Sequence, residues 1–291
     1  MNPRGLNPDG TLARRGGLHR VQGPFAPVVA AARERITQTF GAARLHSAYL
    51  YGSIPRGTAV QGRSDLDLLL ALHDEPGAAD RADARRLEAA LDGAFSQIDG
   101  VGVLLFGART LLSDVERHDL GFFVACLCTP LLGDDLGEQL PRYRPNSLLA
   151  RETNGDLGLA MHRWRSMAAD AAGDTDSTAL DLLARRAARR TVRTGFTLVM
   201  PRWGGWTDDL TEAAAAFCDY YPARAGQMRA VAATASRTNA DGSAAAVLDM
   251  LLEDLGPWLA AEYEAVHGLK QSRPMQSGTA RKPLAPPPSP M

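Results

Sequence analysis

Lysine is almost missing from this sequence: of 32 Lys and Arg residues only Lys270 and Lys282 are lysine, and 33 Asp and Glu bring the formal charge to -1. With a pI near 6.6 there is no global basic field of the kind that gathers nucleic acid or an anionic membrane surface, so a polynucleotide substrate is disfavoured. Cysteine is scarce too. Cys126, Cys128 and Cys218 cannot close a disulfide framework and have neither zinc-knuckle nor redox spacing, which fits a reducing compartment. No apolar run approaches the length that crosses a bilayer, and the Gly-, Pro- and Arg-rich first twenty residues hold no apolar leader segment; the expectation is a cytoplasmic protein without membrane contact. The histidines, His19, His46, His73, His118, His162 and His267, form no ligand pair at helical spacing and give no zinc site.

What remains is a chain of 291 residues, 45% hydrophobic, long enough for one large domain or two ordinary ones, with two expected. Residues 1–23 read as a flexible Gly/Pro/Arg-rich arm and 268–291, ending PLAPPPSPM, as a disordered Pro-rich tail. Between them, Val28, Val29, Ala32, Ile36 and Phe40 recur at helical spacing. Strands are expected at 46–51, 64–72 and 101–106, with a helix over 81–95, so that residues 24–143 form a compact α/β unit. From Ser147 onward helical signals dominate: Leu157, Met161 and Trp164 at i, i+4 and i+7, then helices over 177–200, 207–220 and 243–267, with a loop at 201–206. The turn residues of LPRYRP mark the boundary, and residues 144–267 form an all-helical C-terminal domain.

The chemistry is concentrated in YLYGSIPRGTAVQGRSDLDLLLAL, residues 49–72. Asp65 and Asp67, one residue apart in an apolar strand, project from one face while Leu66 and Leu68 project from the other. Aspartate is disfavoured in strands and costly to bury unpaired, so two on one face call for a cation; a hard divalent ion such as Mg²⁺ fits, and an Asp-x-Asp pair can bridge two. Upstream, Gly52 and Ser53 end a strand where a short helix starts, a place where backbone N–H groups favour an anionic oxygen. Arg56 lies in the same loop within reach of a phosphate, and Gly57 lets the backbone turn back toward the metal strand.

GSIPRG followed by SDLDLLL resembles the Gly-Ser and Asp-x-Asp signature of nucleotidyltransferases in the DNA polymerase beta superfamily, with spacing similar to that of antibiotic and minimal nucleotidyltransferases. The resemblance covers about the first 130 residues. It implies an α+β fold: a polymerase beta-like domain, with a small mixed sheet and helices, ahead of an all-helical C-terminal domain. It implies further that Gly52 and Ser53 hold the β and γ phosphates of a nucleoside triphosphate, with ATP the expected one. Asp65 and Asp67 would hold two Mg²⁺ ions, and a hydroxyl of a small-molecule acceptor would attack the α-phosphorus while pyrophosphate leaves. Such enzymes usually carry a third acid on the next strand, as metal ligand or base. The matching position in VGVLLF is Gly102; Asp99, three residues earlier in QIDG, is the acid that a bulge would bring into place. The alternative is a catalytically weak or inactive nucleotidyltransferase-like module that acts by binding a partner, as an antitoxin-like regulator would.

Other clusters have two readings each. In RRAARRTVR, Arg185, Arg189 and Arg193 share a helix face; Arg189 and Arg193 are candidate triphosphate contacts, though a solvated face explains the run as well. Trp203 and Trp206 suit base or acceptor stacking, or ordinary packing between helices, and Thr207 reads as the next helix's N-cap. The related aminoglycoside enzymes often carry a lysine near this loop, and this sequence has none there. Cys126 and Cys128, in FFVACLCTPLL, read as packing residues. Asp134 and Asp135 read as a loop or helix cap.

Overall fold

A computed structural model describes residues 4–171, 177–236 and 243–270; of the tail expected over 268–291, residues 271–291 lie outside the described residues. Two compact units result, one built from residues 14–140 and the other from 4–13 with 141–270. The fold is α+β: a four-stranded mixed sheet with helices in the first unit, and helices throughout the second. No described helix is long and apolar enough to cross a membrane.

In the first unit the strands are β1 (Leu45–Tyr51), β2 (Leu66–Leu72), β3 (Val101–Gly107) and β4 (Thr129–Gly133), in the order β3-β2-β1-β4. β2 runs antiparallel to β1 and parallel to β3, and β4 runs antiparallel to β1. The apolar runs of β1 and β2 are nearly continuous because the sheet has a core on each face. On one face Ala48, Leu50, Leu66, Leu68, Leu70 and Leu72 pack with helices α1 (Ala26–Arg44) and α3 (Ala78–Asp92). α1 contributes Val28, Ala32, Ile36 and Phe40, one stripe at intervals of four, and the positive φ of Gly41 breaks its last turn. On the other face Tyr49, Tyr51, Leu69 and Ala71 pack with Leu111 of the short helix α4 (Ala108–Leu112), Val124 of a π-helical turn at Phe123–Leu127 that follows the short helix α5 (Leu120–Phe122), Cys128 just after that turn, and Leu136 of a 3-10 turn at Leu136–Gln139. Each fully buried leucine contributes roughly 1.5–3 kcal/mol, so β2 is the best anchored strand of the unit. The four-residue helix α2 (Ser53–Arg56) follows β1 directly.

β4 is the strand that periodicity missed: CTPLL reads as part of a longer apolar run. Its Pro130 is admissible because β4 is an edge strand, paired with β1 alone. The opposite edge, β3, is covered: the Val103 N–H donates to Glu88 Oε1 of α3 at 2.9 Å.

The helices of the second unit are α6 (Ser147–Asn154), α7 (Leu157–Ala171), α8 (Ser177–Trp203), α9 (Leu210–Tyr220), α10 (Ala225–Ser236), α11 (Ser243–Met250) and α12 (Gly256–His267). α8 packs against each of the other six, and from Thr191 to Met200 only Arg193 is exposed. The expected break at Pro201 does not occur. Proline forfeits a single ladder hydrogen bond near a helix end, and α8 runs on to Trp203 and stops at Gly204, whose φ is 74°. The N-cap of α9 is Asp209, which accepts from the Thr211 and Glu212 N–H groups, and not Thr207, whose hydroxyl instead accepts from Asp209 N. The helix expected over 243–267 is divided by a π-helical turn at Leu251–Leu255, next to Pro257, which has no N–H to continue the ladder.

The expected loose arm is also built in. Residues 4–13 belong to the helical unit: Trp206 N donates to Arg4 O, Leu12 N to Tyr143 O, and the Arg4 guanidinium lies over the Trp203 ring. Leu12 and Ala13 are buried. Residues 14–20 belong to the α/β unit, where Arg14 pairs with Asp135 at 2.7 Å and Arg15 N donates to Cys126 O.

Candidate active site

Asp65 stands at the entrance of β2 and Asp67 within it. Asp67 is in register with Tyr51 of β1 and Gly102 of β3, so the end of β1 and the start of β3 flank it. Gly52 follows Tyr51 with φ 80° and ψ -152°, a conformation closed to other L-residues. A Cβ built on Gly52 would lie 2.3 Å from Asp67 Oδ2. The Gly52 backbone and the Asp67 carboxylate thus approach closely, and glycine alone permits it.

Two more glycines face the pair. A Cβ on Gly102 would meet Asp67 Oδ1 at 3.7 Å, and one on Gly100 would meet Asp65 Oδ1 at 3.4 Å. Three positions around the two carboxylates therefore carry no side chain. Two carboxylates on one face can hold a hard cation that takes its other ligands from water and phosphate oxygens. Gly102 stands where the resemblance implies an acid, and Gly100 precedes it; alternating glycine at a strand entrance is the sequence signal of a close approach.

α2 carries Ser53 at its first position and Arg56 at its last, both half-buried. Ile54 and Pro55 are buried and anchor the turn. N–H groups at the start of a helical turn have no acceptor within it and suit an anionic oxygen. Gly57, with φ 75°, closes the turn, and Ser53 O accepts from Thr58 N. Ser64, at the entrance of β2, accepts from Val60 N and shapes the loop. Gly52, Ser53, Arg56, Asp65 and Asp67 thus lie on adjoining segments of one unit.

Asp99 lies just before β3, exposed, with its N–H donating to Ser64 O. It is not gathered with Asp65 and Asp67: no group of three His, Cys, Asp or Glu able to hold a metal occurs among the described residues. There is no bulge to move it, because β2 and β3 pair in unbroken parallel register from Leu66 and Val101 onward. Arg189 and Arg193 sit on α8 in the helical unit, both exposed; Arg189 Nε donates to Ala235 O at the end of α10. Trp203 and Trp206 pack edge-on to Phe196, and Trp206 Nε1 donates to Asp208. Cys126 and Cys128 are buried, and burial pushes the Cys126 thiol up to about 12 and Cys128 upward as well. Asp135 caps a 3-10 turn by accepting from Gly137 N.

No family model and no curated protein matches the chain. Among solved structures, the spectinomycin adenyltransferase AAD(9) from Enterococcus faecialis, crystallised with ATP and spectinomycin, is similar over 81% of this chain and 98% of its own, at 12% sequence identity and a TM-score of 0.49.

Proposed function

We propose that this chain is a nucleotidyltransferase that moves a nucleoside monophosphate, from ATP in the first instance, onto a hydroxyl of a small molecule. The observation that carries the reading is the contact between Gly52 and Asp67, a glycine turn suited to phosphate set directly against a strand-borne carboxylate pair with side chains removed around it. Gly52 and Ser53 hold the β and γ phosphates through backbone N–H groups and the Ser53 hydroxyl, and Arg56 neutralises phosphate charge from the end of α2. Asp65 and Asp67 hold Mg²⁺, two ions in the full site, which when bound stabilises negative charge on the attacking and leaving oxygens. The acceptor oxygen forms a bond to the α-phosphorus, the bond between that phosphorus and the bridging oxygen breaks, and pyrophosphate leaves. Asp99 is the proposed recipient of the acceptor's proton by way of water.

Gly102 favours a second reading. It occupies the position in register with Asp67 where a third acid would complete the metal set, and a site with two carboxylates could bind triphosphate while transferring slowly or not at all. Such a chain would act as a regulatory module.

One experiment separates these readings. Each of the four nucleoside triphosphates is titrated with and without Mg²⁺, and pyrophosphate release is followed with pooled hydroxylated small molecules. For the wild type the transferase reading expects Mg²⁺-dependent binding and acceptor-dependent release. In Asp65→Asn with Asp67→Asn, release should fall by roughly 10³-fold or more. Binding without release supports the module; metal-independent binding that the double variant leaves intact removes the site assignment altogether.

A further inference from the structure

The segment that follows residue 13 has no role in the site just proposed, yet it runs against the back of the phosphate turn. Gly17 N donates to Pro55 O at 2.9 Å, and Gln22 Nε2 donates to Gly57 O at 3.0 Å. The two carbonyls on the far side of α2 thus receive their donors from residues more than thirty positions upstream. The approach is tight enough to exclude side chains. A Cβ on Gly16 would lie 2.4 Å from Thr129 Oγ1, 3.2 Å from Pro55 Cβ and 3.3 Å from Pro55 O, and a Cβ on Gly57 would lie 2.9 Å from Arg20 O. The segment is fastened at its other end as well: Arg14 Nε donates to Ala125 O and its guanidinium pairs with Asp135, while Arg15 N donates to Cys126 O.

A turn of four residues cannot hold its own conformation, since one helical turn fixes several dihedrals for a single internal hydrogen bond. Ile54 and Pro55 anchor it from the core, but buried apolar contacts are non-directional and do not set the orientation of the N–H groups at its start. Hydrogen bonds to the carbonyls at its other end do. We infer that residues 16–22 belong to the triphosphate site as a positioning segment: Gly16 and Gly17 let the chain lie against Pro55, and Gln22 fixes Gly57, so that the start of the turn stays aimed at the phosphates. This inference rests on the reading of the turn as a triphosphate site.

Gly16→Ala tests it, because the added methyl meets Thr129 Oγ1 and the Pro55 backbone together. Thr129 is 3% exposed and its hydroxyl has no hydrogen-bond partner among the described residues, so Thr129→Ala relieves the nearest contact without removing a hydrogen bond among them. Affinity for ATP with Mg²⁺ should fall about 10-fold in Gly16→Ala and recover most of that in Gly16→Ala with Thr129→Ala, while Thr129→Ala alone binds like wild type. Where turnover is measurable, the loss should appear in KM for the triphosphate with kcat retained, the mark of a binding contact shared by ground and transition states. If Gly16→Ala does not fold, Gln22→Ala decides in its place: Gln22 is exposed, and losing its bond to Gly57 should weaken binding about 3-fold. A wild type that binds ATP alongside variants that bind it equally well overturns the inference and leaves the functional reading standing. A wild type that binds no triphosphate ends the functional reading and this inference with it.

Discussion

The polar groups in the core of the helical unit and the carboxylate pair of the α/β unit are placed differently, although the α/β unit too buries Ser47, Tyr49, Thr110 and Thr129. In the helical unit Asn154, Thr191, Thr194, Thr197, Tyr263 and His267 are all buried, and most are tied to backbone carbonyls. Tyr263 donates to Ala150 O, Thr194 to Arg190 O, Thr197 to Arg193 O, and His267 Nε2 to Leu198 O. In the α/β unit the carboxylates Asp65 and Asp67 stay at the entrance of a strand, half-buried, and the neighbouring positions are glycine. A polar group whose hydrogen bonds are completed by nearby carbonyls is holding the fold together; under the proposed function, the carboxylates beside the glycines serve the triphosphate and its metal instead.

Gly52→Ala puts that contrast under the greatest strain. The variant requires a non-glycine residue at φ 80° and a methyl 2.3 Å from Asp67 Oδ2, so the turn and the carboxylate must separate. Triphosphate affinity should drop by ~30-fold or more, the equivalent of about 2 kcal/mol of strain and lost contact, with the melting temperature lowered far less than the binding. Calorimetric titration with ATP and Mg²⁺ measures it. Retained affinity would show that Gly52 serves only to turn the chain, and the distinction between the units would lose its main support.

Tyr263→Phe applies the same logic to the helical core, with the opposite signature. Removing the hydroxyl takes one donor from the Ala150 carbonyl, which keeps the Thr153 hydroxyl at 3.0 Å, while Thr197 keeps its bond to Arg193 O. A loss of about 0.5–1.5 kcal/mol in unfolding free energy is expected, read from the denaturant midpoint, with triphosphate affinity unchanged. A change in affinity instead would give the helical unit's buried polar groups a part in binding.

How much of this the sequence disclosed follows from the length scale of each signal. Asp65 and Asp67 were legible because strand alternation fixes which face a residue takes and because apolar residues frame them. Gly52 and Ser53 were legible by position, between that strand and the one before it. β4 was not, since residues 123–132 are apolar at both helical and strand spacing and only pairing with β1 decides. The segment from Arg4 to Gln22 looked loose because Gly, Pro and Arg dominate it; what orders it is a set of backbone hydrogen bonds to Trp206, Tyr143, Cys126 and Pro55, which leave no compositional trace. Asp99 was named for its charge and nearness in sequence, whereas the unbroken register of β2 with β3 sets Gly102 opposite Asp67. In the helical unit the stripes located the helices, but Pro201 proved a weaker stop than Gly204.

The smallest effect concerns His267. It is 7% exposed, its Nε2–H donates to Leu198 O at 2.9 Å, and its Nδ1 has no partner among the described residues. Burial disfavours the imidazolium and lowers its pKa from the ordinary 6.5, outweighing the support of the Leu198 carbonyl, and Arg202 adds repulsion. As pH falls through 6.5 the unfolded chain takes up a proton that the folded one refuses, so this group costs nothing above that pH and destabilises the fold progressively below it. His267→Gln retains a donor for Leu198 O but cannot ionise. Compared between about pH 7.5 and about pH 5 by denaturant unfolding, the variant should lose less stability than the wild type. Coincident profiles would mean that the ring is as easily protonated in the folded chain as in the unfolded one, and that this part of the helical core admits charge as readily as the strand entrance of the other unit.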